Sequence, residues 1–462
     1  MTYADLEEQA CKAASVLHEQ GTGEGSVVGI ALRDGQQAIT AMLGTWLLGG
    51  TCNLLDFRSP PNDKQSAYEK FNHVLLLEDH SQTGNDYPGM AIVDWAAALE
   101  RAPAIKPEVV ESDAPAYISV TSGTTGVPSN IEVTHEAMLS RSASWKDLDI
   151  GQIYKRYLST APMAFSGTQG WVINSLLAGG TVVFFPTVFR PQDLFAAFDK
   201  YNITGCALVP TVLRDLLGYA REAGAKFSTA EIPPWLVTHG ASIQPAELAN
   251  VRELLSPNVL QIYGSWGAGP MACLDLRTEM DKLDTVGRPH AGVVIEIVDQ
   301  NDSRLPQNSI GRIRVRTPGQ GKSVAGSANV TGSDAFIGEW YYPGDVGLID
   351  EDGYLKLIGR SGDLIIRGGV NVFPQEIETV AANIQGVKQV AVVGYHDERM
   401  GEEIALFAVT DPIVTVTTLH EHFRTGLPPD KRPKRIHIIS EMPTNANGKI
   451  VKKRLLEMLE RL

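Results

Sequence analysis

Cysteine is scarce in this chain of 462 residues, and the four that occur stand far apart, at Cys11, Cys52, Cys206 and Cys273. No CxxC pair and no metal-ligand spacing links them. That excludes a disulfide framework and a zinc module, and predicts four reduced, mostly buried thiols. Long uncharged apolar runs are also missing, so no segment reads as membrane-spanning. The opening stretch MTYADLEEQACKAA has acids where a secretion signal needs bases followed by apolar residues, which predicts a cytoplasmic protein. Positive charge is in deficit, 40 Lys and Arg against 54 Asp and Glu, a net charge of −14. That argues against a non-specific nucleic-acid binder and against docking on an anionic membrane. It leaves room for a small anionic ligand, because a local site can oppose the global charge. Low-complexity linkers and internal repeats are absent, and so is the Walker pattern GxxxxGK[ST].

The chain does contain alternation. YADLEEQACKAASVLHEQG has helical periodicity and ends at glycine; SVVGIAL reads as a buried strand; QQAITAMLGTWLLGG is helical again; TCNLL and HVLLLED are strand-like, and FAAFDKYNITGCALVP is a helix leading into a strand. Repeated alternation of this kind predicts parallel sheets covered by helices. From about residue 286 the texture changes to short β-rich segments, GVVIEIVD, GRIRVRT, VGLID and YLKLIG, with Asp-Gly turn chemistry at 352–353. The tail then resumes as a compact α+β unit. These shifts predict an α/β protein with a domain boundary at Arg360, dividing residues 1–360 from 361–462.

One loop carries phosphate-binding chemistry. TSGTTGVPSN (121–130) follows the strand-like YISV. Thr121, Ser122, Gly123, Thr124 and Thr125 offer hydroxyls and unobstructed backbone N–H groups that can cradle phosphate oxygens. Alone, such a run reads equally as a polar turn. The loop does not stand alone: APMAFSG (161–167), THGAS (238–242), YGSWGAG (263–269), a block from YYPGD (341–345) to NVFPQEIE (371–378), and PTNANGK (443–449) follow in order. Together these motifs resemble the adenylate-forming superfamily of acyl-CoA ligases, luciferases and peptide-synthetase adenylation domains. The resemblance runs from about residue 2 to the end, with the start matching an internal point of the usual family N-terminus.

The resemblance implies a large N-terminal domain of αβαβα layers plus a distorted β-barrel, and a small mobile α+β C-terminal domain. It implies two steps: a carboxylate attacks the α-phosphate of ATP, and CoA then displaces AMP from the acyl-adenylate. Carried over residue by residue, Asp345 accepts from the ribose hydroxyls, as a carboxylate suits a vicinal diol. Arg360 sits near ribose or phosphate. His239, Gly240 and Ala241 line the adenine and acyl pockets. Tyr263, Gly264, Ser265 and Trp266 belong to the AMP-binding stretch, with Tyr263 against the adenine. Phe165, Gly240, Gly264 and Gly269 line the acyl pocket, which the glycines suggest is roomy. Gly362 is the hinge. Gly368, Gly369 and Val370 line the pantetheine tunnel, and Lys449 is the tail lysine of adenylation. Lone residues of these types are ordinarily turn, core or surface residues, and it is their motif context that singles them out.

Three departures from the family pattern stand out. Ser129 and Asn130 occupy the usual lysine-glycine positions after Pro128, and Trp266-Gly267 replaces the usual threonine-glutamate. Phe165 replaces a frequent histidine. The lysine helps neutralise the outgoing phosphates, and the glutamate helps hold Mg²⁺, which offsets charge as pyrophosphate leaves. Losing both strikes the first step, while the AMP- and CoA-side residues survive. The expectation is therefore an acyl-AMP:CoA acyltransferase, supplied by a separate adenylating enzyme, with no tightly bound metal. The same combination resembles non-adenylating members acting in antibiotic biosynthesis, implying a bulky, diterpenoid-sized acyl group. A complete ATP-dependent ligase with an atypical Mg²⁺ site and a non-catalytic acyl-AMP-binding protein are the alternatives.

Overall fold

The computed structural model describes residues 1–78, 95–105, 110–120, 130–145, 148–227, 233–323, 335–444 and 450–461. The first helix, Tyr3–Glu19, is fixed at its start by a capping box in which Thr2 and Asp5 exchange side-chain-to-backbone bonds. It packs on the helix Gly35–Leu47, where a side chain on Gly44 would lie 2.6 Å from the Ala13 methyl. The two helices can approach closely because both residues at the contact are small. The strands between and beyond them are buried on both faces, as parallel strands under helices must be.

Two sheets form the body of the large domain. In the first, Val27–Ala31 is flanked by Thr51–Leu54 and Leu75–Glu78 in parallel, and Pro115–Val120 extends it in parallel beyond Thr51–Leu54. Asn130–Thr134 then returns antiparallel to Pro115–Val120. In the second, Thr181–Phe184, Arg156–Ser159, Gly205–Leu208, Trp235–Thr238 and Asn258–Ser265 are parallel neighbours in that order, and Gly269–Asp275 closes back antiparallel. The helices His135–Ala143 and Ser166–Leu177 supply Met138, Trp171 and Val172 to an apolar core that also holds Ile30 and Leu54 of the first sheet and Val237 and Leu260 of the second. The same core reaches Ile295, Val315 and Tyr341 of a third, antiparallel sheet. That sheet runs Phe336–Ile337, Trp340–Tyr341, Gly311–Arg316, Asp345–Ile349, Leu355–Arg360, with Val294–Val298 branching off Gly311–Arg316. It is the distorted barrel element.

The smaller C-terminal domain has its own five-stranded sheet. Val370–Val372, Ile365–Arg367, Gly401–Thr410 and Val387–Asp397 pair antiparallel, and Arg435–Ile438 adds in parallel. The helices Pro374–Ala382 and Val416–Gly426 bring Ile377, Leu419 and Phe423 to a separate core with Val392 and Leu406. All four cysteines are unpaired, three of them buried. Among the described residues no helix is long and apolar enough to cross a membrane.

Candidate active site

The predicted ribose carboxylate is built by strand register. Asp345 and Arg360 stand directly opposite each other at the start and end of the antiparallel pair Asp345–Ile349 and Leu355–Arg360. Arg360 Nε lies 3.1 Å from Asp345 Oδ1, and the Tyr263 hydroxyl donates to Asp345 Oδ2 at 2.5 Å. Each oxygen thus has its own orienting donor, one from within the same sheet and one from the strand Asn258–Ser265 of the second sheet. Asp345 is nearly buried, 8% exposed, so both bonds form where water competes little. Burial and the neighbouring carboxylate push the Tyr263 phenol far above its ordinary range, and it remains a donor at neutral pH. Sequence reasoning put Tyr263 against the adenine; its hydroxyl is committed to Asp345.

The Tyr263–Gly269 stretch is a hairpin. Ser265 pairs with Gly269, and Trp266, Gly267 and Ala268 form the three-residue loop, with Gly269 in the left-handed region at φ +74°. Gly264 and Gly269, expected to widen an acyl pocket, have packing reasons here. A side chain on Gly264 would lie 2.7 Å from the Gly269 carbonyl, and one on Gly269 would lie 2.8 Å from Arg141 Cδ. A Cβ built on Gly240, at φ +86°, would meet only Val209 Cγ1, at 4.0 Å. The exposed Ala241 follows it.

Trp266 spans the two strands that flank residues 121–129, the expected phosphate loop. Its ring centroid is 5.3 Å from that of Tyr117, and its indole N–H points to the Ile131 carbonyl at 3.4 Å. The loop residues Thr121, Ser122, Gly123, Thr124, Thr125 and Ser129 lie outside the described residues, as does Lys449. Gly267 is hemmed in: a Cβ there would lie 2.4 Å from Tyr341 Cε2 and 2.6 Å from its Cζ. Tyr341 is 6% exposed and stacks obliquely on Phe336 at 4.9 Å. The turn is further held by Gly321 N–H donating to the Gly267 carbonyl at 2.8 Å. Sequence reasoning identified position 267 but missed Tyr341, whose ring stands where a side chain would have to begin.

His239 follows the strand Trp235–Thr238, and its ring packs on Gly167 in the first turn of Ser166–Leu177; a Cβ on Gly167 would lie 2.3 Å from the imidazole Cε1. Burial lowers the His239 pKa to about 4, so the ring is neutral at physiological pH. His73, buried beside Asn53 at 3.1 Å, is likewise pushed to about 4 by desolvation. Between the ordinary histidine value and about 4 the unfolded chain binds more protons than the folded one. Stability is therefore expected to be full above that window and to fall as pH drops through it. Urea midpoints at pH 7.5 and 4.5 should show the fall, and a protein carrying both His73→Gln and His239→Gln should fall less. An equal drop in both would overturn the assignment.

Phe165 precedes the same helix, with the Arg58 guanidinium 5.9 Å from its ring centroid and Arg58 paired to Asp56 at 2.7 Å. Gly362 lies in the short turn Ser361–Asp363, between the last strand of the third sheet and the first of the C-terminal sheet, where Asp363 pairs with Lys452 at 2.8 Å. Gly368 and Gly369 form the two-residue loop of the hairpin that ends at Val370, with φ of +57° and +85°. Both values are positive, as a type I′ turn requires. A Cβ on Gly369 would meet nothing within 4 Å, whereas one on Gly368 would lie 2.6 Å from Met400 Cε. The bidentate pair between Arg367 and buried Glu403, at 2.9 and 3.0 Å, anchors the base of this hairpin. Among the described residues no group of three or more His, Cys, Asp or Glu side chains is placed to hold a metal ion.

A buried carboxylate held by Tyr263 and Arg360, a glycine hairpin on a smaller second domain and two helix-covered sheets make up the architecture, and the chain belongs to the AMP-binding enzyme family. That family matches residues 1–323, and the AMP-binding enzyme C-terminal domain matches residues 376–449. Its relatives place it in the acyl-CoA and acyl-carrier-protein ligase branch. It is 27% identical to a fatty acid–[acyl-carrier-protein] ligase of Streptomyces coeruleorubidus, over 98% of this chain and 91% of that one. It is 28% identical to a long-chain-fatty-acid–CoA ligase of Mycobacterium tuberculosis, over 99% and 93%. Among solved structures it superposes on O-succinylbenzoate coenzyme A synthetase of Bacillus subtilis in complex with AMP, with TM-score 0.88 and 25% identity over 98% and 93% of the two chains. The same enzyme with ATP and magnesium gives TM-score 0.86, at 25% identity over 98% and 94%.

The Asp345 assignment has a direct test. Asp345→Ala is expected to weaken binding of acyl-AMP by roughly tenfold to a hundredfold, the effect of losing a charge-assisted hydrogen bond of about 1.5–3 kcal/mol. An unchanged Michaelis constant for acyl-AMP would make Asp345 a turn residue only.

Proposed function

We propose that this enzyme performs the second half of the family reaction: it converts a preformed acyl-adenylate and CoA to acyl-CoA and AMP, with ATP-dependent adenylation lost or weak. The observation that carries this reading is the Tyr341 ring packed against Gly267. A magnesium ion that depends on one protein carboxylate and on substrate oxygens has no carboxylate at 267, and the buried phenol leaves no room to begin one. Ser129, in place of the loop lysine, removes a cation from the same end. On the other side the machinery for a bound adenylate persists. Asp345 with Tyr263 and Arg360 would orient the ribose, neutral His239 with Gly240 and Ala241 would border the adenine and acyl groups, and Gly368, Gly369 and Val370 would meet the pantetheine.

The chemistry needed is modest. A mixed anhydride is already activated, so thiol attack on its carbonyl requires orientation and access rather than a metal. CoA's sulfur bonds to the acyl carbon, the bond to the phosphate oxygen breaks, AMP leaves as the anion, and the thiol proton passes to solvent. Residues 1–360 act as the adenylate-binding body and residues 361–462 as the moving part, turning about Gly362. A separate adenylating enzyme supplies the substrate. This combination of retained and missing groups resembles the non-adenylating CoA ligase of the platensimycin and platencin pathway, which favours a bulky diterpenoid acyl group. Mass spectrometry of two reactions tests the reading. Acyl-AMP plus CoA should yield acyl-CoA, and ATP, Mg²⁺, acid and CoA should not. Product from both would make the protein a complete ligase; product from neither would make it a binding protein.

A further inference from the structure

Arg141 is the cation that sequence reasoning missed. It lies in the last turn of the helix His135–Ala143 and reaches under the Ser265–Gly269 hairpin loop. Its Nε donates to the Gly319 carbonyl at 2.7 Å, and its terminal nitrogen donates to the Trp266 carbonyl at 2.9 Å. Two glycines admit it: a Cβ on Gly319 would lie 2.4 Å from Arg141 Cγ, and one on Gly269 2.8 Å from its Cδ and Nε. Its partners are neutral. The Tyr117 and Tyr341 phenols near it are uncharged at neutral pH, and no acid pairs with it among the described residues. Arg141 is only partly exposed, and desolvation pushes its pKa below the usual arginine range while its hydrogen bonds go to neutral carbonyls rather than to a carboxylate. The Tyr341 hydroxyl lies within electrostatic range of Arg141, Asp345 and Arg360 alike, which sets Arg141 near the Asp345–Arg360 pair.

Resting on the reading of this cleft as an adenylate site, we propose that the counter-ion of Arg141 is the phosphate of the bound adenylate. Arg141 would then serve as a positioning residue that brings positive charge to the phosphate end through the Trp266 turn. The charge need not touch the phosphate. Two unit charges about 10 Å apart at an effective dielectric of about 20 still change a binding constant by roughly tenfold. It would supply in part the field that a lysine at position 129 would have given, without approaching a departing pyrophosphate.

Calorimetry with AMP and with uncharged adenosine separates this role from simple bracing of the loop. Arg141→Met should weaken AMP about tenfold and change adenosine binding little. Arg141→Lys, which keeps the charge and loses the fork, should preserve the preference for AMP over adenosine. Equal weakening of both ligands by Arg141→Met, or no change in either, would overturn the proposal. If Arg141→Met does not fold, Arg141→Lys decides, and loss of its AMP preference overturns the proposal. If the unaltered protein binds neither ligand, the adenylate site itself is refuted, and this inference falls with it.

Discussion

Supplied with ATP, Mg²⁺ and a panel of carboxylic acids, large terpenoid acids included, the protein is expected to catalyse ATP–pyrophosphate exchange at least about a thousandfold more slowly than a relative with both phosphate-end groups. Removing one preorganised electrostatic contact typically lowers a rate by about 10²–10³, and here both the loop lysine and the metal carboxylate are missing. The structure adds a stricter expectation. Trp266→Thr with Gly267→Glu replaces the residues without replacing the site, because the new Cβ would meet the Tyr341 ring at 2.4 Å. That ring is buried in the main core and cannot swing aside without repacking Phe336. Gly267→Glu alone is therefore expected to destabilise the fold by about 1–3 kcal/mol, as overpacked cores do. Adding Tyr341→Ala should relieve that strain, and any recovered exchange should appear only when it is present. Robust exchange by the unaltered protein with any acid would end the non-adenylating reading.

Position 267 shows what the sequence can and cannot carry. That a glycine replaces an acid there is legible, because the surrounding YGSWGAG fixes the alignment. That a tyrosine 74 positions later fills the adjoining space is not, since it depends on how the third sheet meets the second. Arg141 was illegible for the same reason: a lone arginine near a helix end reads as solvent-exposed, and only the hairpin above it partly covers it. The pairing of Lys64 with Glu78, at 2.7 Å with both side chains under 5% exposed, likewise joins a helix to a strand end that local pattern leaves unconnected. What the pattern did reveal is what period and turn chemistry determine directly. The fully buried TCNL and LLLE strands read as continuous apolar or small-residue runs. At glycines 264 and 269 the residue type alone does not decide the role, because close approach of backbone or of an arginine demands glycine as readily as an open pocket does.

The hairpin tip provides the sharpest division between the two half-reactions. Gly369→Trp is expected to abolish acyl-CoA formation from acyl-AMP while leaving acyl-AMP binding intact. In this structure a Cβ at Gly369 meets nothing within 4 Å, so the indole would project from the tip without disturbing the domain beneath it. The cost is the left-handed backbone at φ +85°, about 1–2 kcal/mol for a residue with a side chain. The Arg367–Glu403 pair and the strand register below should absorb that cost. Gly368 would be a poor choice for the same test, because its Cβ would strike Met400 and confound folding with function. Lys449→Ala supplies the contrast. If only thioesterification remains, AMP is already a good leaving group, and no acid or base is required of the tail lysine. Turnover should then change only slightly, with any loss confined to affinity for acyl-AMP. Steady-state kinetics with purified acyl-AMP and CoA, together with calorimetric binding of acyl-AMP to both variants, distinguish the cases. Should Lys449→Ala remove turnover while Gly369→Trp proves harmless, the tail lysine performs the chemistry, and the assignment of CoA transfer to the Gly368-Gly369 hairpin fails.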